Sequence, residues 1–384
     1  MSLLHDDHDL DAGVRAPRLG GIDHLEWWVG NARSFAGFLC SAFGFEPVAY
    51  AGPETGRPDR VSYLLAQGRL RFMVSGALHP GSPIAAHVRA HGDGIRDIAF
   101  LVDDVDAAYA AALARGGTGL RPPADDSDGH GTIRHAAIAT YGDTVHTLLD
   151  RSRYDRPFAP TFEPTDLSPS LGPDVGITRL DHVVGNVELG ALTRWVEFYE
   201  HVFGFQQLTH FDDDQISTEY SALMSTVVWN GGDGDDADGP ELVVMPINEP
   251  APGRRKSQIE EYLDFYGTPG VQHIAMRTDD IVATVRALRA RGVRFMEVPA
   301  TYYVEARERM AGVELPWEAI EEQSILVDRD HDGHLLQIFT ETVTDRPTVF
   351  FEIIEREGAT GFGEGNFKAL FEAIERQQER RGNL

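Results

Sequence analysis

Arg179-Leu180-Asp181-His182, followed nine residues later by Leu192-Thr193-Arg194-Trp195-Val196-Glu197-Phe198-Tyr199-Glu200-His201-Val202-Phe203-Gly204-Phe205, decides the architecture. Its first part reads as a strand whose buried run ends at Asp-His. Its second part places residues 192, 195, 196, 199, 202 and 203 on one apolar helical stripe. Phe-Gly-Phe then stops the helix, with Gly204 where a positive φ is cheap. About 160 residues earlier the same message stands: Gly21-Ile22-Asp23-His24, then Ser34-Phe35-Ala36-Gly37-Phe38-Leu39-Cys40-Ser41-Ala42-Phe43-Gly44-Phe45.

A second pair of repeats lies downstream of each copy. Gly94-Ile95-Arg96-Asp97-Ile98-Ala99-Phe100 with Asp103-Asp104-Val105 matches Gly270-Val271-Gln272-His273-Ile274-Ala275-Met276 with Asp279-Asp280-Ile281. Both continue into a helix ending in Arg-Gly, at Arg115-Gly116 and Arg291-Gly292. Each half therefore holds two strand-helix-strands modules. Residues 156–178 carry five prolines and no helical period, which reads as a linker. The expected organisation is a tail at 1–20, a first domain at 21–155, the linker, and a second domain at 179–384.

Composition narrows the function. The chain has 384 residues, 34 Lys plus Arg and 61 Asp plus Glu, a formal charge of −27 that repels phosphate backbones and anionic lipid surfaces. The longest unbroken apolar run is eight residues, Ala107–Ala114, against the roughly 20 that a membrane helix needs. The start, Met1-Ser2-Leu3-Leu4-His5-Asp6-Asp7, lacks a signal-peptide pattern, so a cytoplasmic protein is expected. Cys40 is the single cysteine, which excludes an intrachain disulfide and a CxxC site. A bound metal must be held by His and carboxylate groups.

The copies differ where chemistry would sit. Asp97 in the first half faces His273 in the second, so only the second half has two imidazoles at matching strand positions. His24 without a partner reads as a leftover or a hydrogen-bonded core residue. Two late strands, Leu335–Phe339 and Thr348–Ile354, each carry one polar residue in an apolar run, Gln337 and Glu352. A carboxylate in a strand core is costly unless a cation neutralises it. His182, His273 and Glu352 would make a two-histidine, one-carboxylate set of the kind that suits non-haem Fe(II). The ligands lie 91 and 79 residues apart, however, and an open alternative makes both histidines core residues and pairs Glu352 with an arginine such as Arg346.

The tail Asp345-Arg346-Pro347-Thr348-Val349-Phe350-Phe351-Glu352-Ile353-Ile354-Glu355-Arg356, with Gly361-Phe362-Gly363-Glu364-Gly365-Asn366-Phe367-Lys368-Ala369-Leu370-Phe371, resembles the 4-hydroxyphenylpyruvate dioxygenase family. So do Lys256-Ser257-Gln258-Ile259, Pro246-Ile247-Asn248-Glu249-Pro250 and Gly270–Ala275. The resemblance implies an α+β vicinal oxygen chelate fold (glyoxalase/bleomycin-resistance/extradiol dioxygenase-like), in which paired βαβββ modules form two half-open barrels. It implies Fe(II) held by His182, His273 and Glu352, and an oxidoreductase that turns 4-hydroxyphenylpyruvate and O2 into homogentisate and CO2 in tyrosine and phenylalanine catabolism. It further implies a substrate pocket of Ser225, Pro246, Asn248, Gln258, Gln272, Gln337, Phe339 and Phe350, and a C-terminal gate of Phe362, Asn366 and Phe367. Relatives are usually dimers or tetramers, so a homo-oligomer is expected.

The residues are consistent with that scheme. The implied 2-oxo acid would supply two of the four electrons O2 needs, and no GxGxxG for a nicotinamide or flavin follows a strand. A cation binding an anionic chelate also explains how so acidic a chain accepts an acid. Phe367, Leu370, Phe371 and Ile374 give the last helix one apolar stripe, Asn366 suits its N-cap, and Gly361, Gly363 and Gly365 offer a hinge. Asn230–Pro240 reads as an Asp-rich hairpin insertion, not a Ca2+ loop, and His5, His8, His331 and His334 read as surface residues. Two rivals remain: a 4-hydroxymandelate synthase, with the same fold, metal and substrate but benzylic hydroxylation, and a metal-free small-molecule binder of the same fold.

Overall fold

The computed structural model describes residues 13–382 apart from 157, 166, 169–171, 173, 212–221, 232–241 and 254. His5, His8 and most of the Asp-rich insertion therefore lie outside the described residues.

The first half runs β1 (Leu19–Val29), α1 (Ala32–Phe43), β2 (Glu46–Ala51), β3 (Arg60–Gln67), β4 (Leu70–Ala77), α2 (Pro83–His91), β5 (Gly94–Val102), α3 (Val105–Ala114), β6 (Gly119–Asp128), β7 (Gly131–Ala139) and β8 (Val145–Asp150). The second repeats it: β9 (Ile177–Asn186), α4 (Leu192–Phe203), β10 (Gln206–Phe211), β11 (Ala222–Trp229), β12 (Val244–Ala251), α5 (Gln258–Tyr266), β13 (Gly270–Thr278), α6 (Ile281–Ala290), α7 (Ala300–Arg309), α8 (Trp317–Gln323), β14 (Leu326–Arg329), β15 (His334–Phe339), β16 (Phe350–Glu357) and α9 (Phe367–Arg381). The extra helices α7 and α8 in the fourth module have no counterpart in the first half.

Both sheets have eight strands in the same order, β2-β3-β4-β1-β5-β8-β7-β6 and β10-β11-β12-β9-β13-β16-β15-β14. In each, two βαβββ modules meet along an antiparallel pair of first strands, β1 with β5 and β9 with β13. The fold is the vicinal oxygen chelate architecture with two curled half-barrels. Gly44 and Gly204 end α1 and α4 at φ 79° and 72°, the left-handed turn that the Phe-Gly-Phe repeat predicts.

Alternation along β16 ties the two halves together. Phe350 and Glu352 face one way; Phe351 faces the other and enters the first half, with its ring centroid 4.9 Å from that of Phe43 and 6.0 Å from those of Trp27 and Phe72. Tyr199 of α4 reciprocates, donating or accepting at 2.9 Å with His146 of β8. The strand that carries the candidate carboxylate is thus anchored from behind by aromatic packing worth more than its area alone. Part of the Pro-rich stretch also packs rather than merely spacing the halves: Glu163 exchanges backbone bonds of 2.7 and 2.8 Å with Tyr50, and Phe158 is buried.

Candidate metal centre and its pocket

Register brings distant residues together. Ala275 of β13 stands opposite His182 on β9 and Glu352 on β16, while His273, two residues back on the same face, stands opposite Val184 and Phe350. The small Ala275 side chain leaves room between its neighbours. His182 Nε2 lies 3.2 Å and His273 Nε2 3.5 Å from Glu352 Oε2, and one ligand atom from each residue falls within 4.8 Å of the others. Arg346, the alternative partner for Glu352, instead donates to the carbonyls of Ala90, Phe265 and Arg89.

Each imidazole is oriented from behind. His182 Nδ1 donates to Asp181 at 2.7 Å, and Arg356 grips both Asp181 oxygens. His273 Nδ1 donates to Gln272 Oε1 at 3.1 Å. Both Nε2 atoms therefore point at Glu352, as ligating histidines do. Burial opposes ionisation of Glu352, yet His182 and His273 hold it down to about 2; burial likewise opposes charge on His182, yet Glu352 and Asp181 push it up to about 9. Without a cation, a proton on His182 is what compensates the buried carboxylate. A divalent ion fits the same three atoms: two imidazole nitrogens and one carboxylate oxygen at mutual spacings suited to bonds of about 2.0–2.2 Å.

A cavity of about 70 Å³ opens from these donors. Phe339 and Phe350 form one wall, Phe350 stacked on His273 at 4.9 Å and 18°. Ser225, Pro246, Asn248, Gln258, Gln272 and Gln337 all line it, so each expected pocket residue borders the cavity. Phe362 and Phe367 line it as well, together with Leu370 and Phe371 of α9. Asn366 does not. It occupies the N-cap position of α9 but makes no capping bond; fully buried, its Oδ1 sits 2.5 Å from the Tyr302 hydroxyl of α7, a partner 64 residues away that outcompetes the local one. His334 also departs from expectation, being the half-buried first residue of β15, whereas His331 is exposed.

Val184, Phe211, Leu223 and Val227 border the cavity without having been singled out. Val184 was within reach, because it lies two residues after His182 and strands alternate. The others needed the neighbouring strands.

The first half has a larger cavity, about 190 Å³, at the equivalent place, but not the donors. His24 is buried with Nδ1 bonded to Asp23 at 2.7 Å; Asp97 accepts from the Thr147 backbone N–H at 2.9 Å and from its hydroxyl. Among the described residues no third metal-binding side chain joins them.

Comparison with known proteins places this geometry. The glyoxalase/bleomycin resistance protein/dioxygenase superfamily matches residues 21–149 and 179–338, one stretch in each half. Fold and donor set together define a metal-dependent enzyme of that superfamily. The chain is 46% identical to 4-hydroxyphenylpyruvate dioxygenase of Yarrowia lipolytica over 95% of its own length and 93% of the relative's, and 44% identical to that of Xenopus tropicalis over 96% and 93%. A mutant of 4-hydroxymandelate synthase from Streptomyces coelicolor is a structural neighbour, at TM-score 0.82, 35% identity, 95% of this chain and 100% of that one. Within the superfamily, the chain belongs to the 4-hydroxyphenylpyruvate dioxygenases. No helix among the described residues is long and apolar enough to cross a membrane.

Proposed function

We propose that the chain is an Fe(II)-dependent dioxygenase that converts 4-hydroxyphenylpyruvate and O2 to homogentisate and CO2. Near-full-length likeness to enzymes of that name supports the reaction. The observation that carries the chemistry is the buried His182–His273–Glu352 set facing a phenylalanine-walled cavity.

Iron in that set would supply a site for the 2-oxo acid chelate and for O2, with decarboxylation providing two of the electrons. The chain's own residues do the rest. Asp181 and Gln272 hold the two imidazoles in one tautomer, and Glu352 gives the anionic third ligand. Phe339 and Phe350 clasp the substrate ring beside the donors, so that its side-chain-bearing carbon stays near the reacting centre. Ser225, Asn248 and Gln258 offer hydrogen bonds to the phenol end. Phe362, Phe367 and Phe371 close the mouth and keep water out. The Phe362 ring meets His182 edge-on at 5.3 Å, so the gate reaches the ligands themselves.

The test is product identity. Purified protein loaded with Fe(II) should consume O2 on addition of 4-hydroxyphenylpyruvate and release homogentisate, read by mass and NMR. Release of 4-hydroxymandelate would assign the synthase reaction instead, and tight ligand binding with no O2 uptake would assign a binder. A cytoplasmic homo-oligomer is part of the same proposal, which light scattering and fractionation test.

A further inference from the structure

We propose that His87, His91 and Asp143, all in the first half beside its contact with α5 of the second, form a second metal site, which takes one zinc-like divalent cation and ties α2 to the β7–β8 turn. It is independent of the reaction assigned above.

His87 and His91 sit one turn apart on α2, so their rings share a face, with centroids 4.7 Å apart. Asp143, in the turn between β7 and β8, lies over both. His91 Nε2 is 3.0 Å and His87 Nδ1 is 3.5 Å from Asp143 Oδ2, against 3.2 and 3.5 Å for the corresponding contacts at the catalytic set. Donors bound tetrahedrally at about 2.0–2.1 Å stand about 3.3 Å from one another. The two clusters thus share a donor set of two imidazoles and one carboxylate at similar spacing, and in both one ligand atom from each residue lies within 4.8 Å of the others.

Two independent features point to a ligand. His87 is 2% exposed, yet its Nε2 has no hydrogen-bond partner and its Nδ1 meets only the Asp143 carboxylate, at a long 3.5 Å. An unsatisfied buried polar group is costly, and a cation on its lone pair removes that cost. His91 is oriented in the way that ligating histidines are: Nδ1 donates to the Tyr266 carbonyl at 2.6 Å, leaving Nε2 to face Asp143. A bare ion pair of the two histidines with Asp143 would leave the buried His87 Nε2 without a partner.

The surroundings set the class of ion. Two imidazoles and one carboxylate suit Zn2+ better than Mg2+ or Ca2+. The Asp143 side chain is 48% exposed, which gives an entry path and room for water as the fourth ligand. Two cations face the cluster, and both are engaged: Arg96 stacks on Trp28 at 4.9 Å, and Arg346 donates to three carbonyls. Asp93 adds a second negative charge near His87.

The site also has a reach. Tyr266 is the last residue of α5, and Gln258, the first, lines the catalytic cavity. A cation here orders His91, whose Nδ1 bond to the Tyr266 carbonyl is a direct link from α2 to α5.

The experiment uses the full-length Glu352→Ala protein, which weakens the catalytic set, stripped of metal and titrated with ZnCl2 by calorimetry near neutral pH. Expected is one more equivalent bound than in Glu352→Ala/Asp143→Asn, with affinity falling at least a hundredfold in the double variant, and a zinc-dependent rise in Tm that the double variant loses. Glu352→Ala/His87→Gln should behave alike; if it does not fold, the half-exposed Asp143 carries the test, with far-UV circular dichroism confirming the fold. Equal stoichiometry in the Glu352→Ala protein and both double variants overturns the proposal, and so does an equal Tm rise in all three, which would place zinc on surface groups such as Asp330, His331 and Asp332.

Discussion

Arg356 holds Asp181 with two parallel bonds, Nε and one terminal nitrogen each 2.8 Å from a carboxylate oxygen, and Asp181 passes that constraint to His182. The same guanidinium donates to the Gly361 carbonyl at 2.6 Å and lies over the Phe362 ring at 5.4 Å. One largely buried side chain therefore touches both the support of a metal ligand and the base of the gate. The first half repeats the device: Arg151 reaches Asp23 at 2.6 Å, Asp23 bonds His24, and Arg151 lies over Phe158 at 4.9 Å, whose ring meets His24 edge-on at 5.0 Å.

Arg356→Lys keeps the charge but loses the fork. Metal affinity is expected to fall about 10–100-fold, as for other partners of ligating histidines. Competition with a chelator measures this. Unchanged affinity would show that Asp181 orients His182 unaided. Arg356→Ala is expected to cost about 3–5 kcal/mol of stability, because Asp181 is then buried without its counter-charge.

Glu352→Gln removes the anionic ligand while keeping its shape. Iron retention and O2 uptake are expected to disappear together, with circular dichroism unchanged. Normal turnover in this variant would refute the three-donor centre.

Gly363→Ala probes the gate. Gly363 has φ 75°, and a Cβ there would come 2.6 Å from Gln337 Nε2 in the cavity wall. A side chain is expected to cost about 1–2 kcal/mol of local strain and to shift α9 off the mouth. Oxygen consumption should then exceed homogentisate formed, and removal of about the last 20 residues should uncouple more strongly. Full coupling in both would reduce α9 to a packing helix.

Asp23→Asn tests the clamp that has no metal to orient. Burial opposes ionisation of Asp23, but His24 and Arg151 hold its carboxyl well below the usual range. A depressed native value stabilises the fold above the unfolded value of about 4 and loses that contribution as the pH falls below it. At pH 7 the variant is expected to be about 3 kcal/mol less stable by urea unfolding, somewhat under the fully buried case because Arg151 keeps some contact with water. The gap should narrow toward pH 3. A gap that stays constant with pH would exclude the ionic origin.

Much of the fold was legible because duplication writes it twice. Asp-His at a strand end and Phe-Gly-Phe at a helix stop recur in both halves, and their agreement outweighs the ambiguity of either copy. The donors were legible through difference, since Asp97 replaces His273 and Glu352 interrupts an apolar strand. The clamp was not. Arg356 stands in a charged Glu-Arg-Glu stretch that looks solvated, and its partner Asp181 lies 175 residues away; only strand register joins them. Asn366 was assigned a local bond because capping is a local rule, whereas Tyr302 arrives from a helix absent from the repeat. His87 and His91 passed unnoticed because Asp143, which meets them, belongs to a different module.

The clamp in the first half carries a consequence for redesign. Register places Asp97 and Thr147 where the second half has His273 and Glu352, and His24 already stands beside its Asp-Arg support. Two exchanges, Asp97→His and Thr147→Glu, separate that copy from the same set of donors. The scaffolding for a donor set thus stands ready in that copy, a socket that two changes of letter would fill.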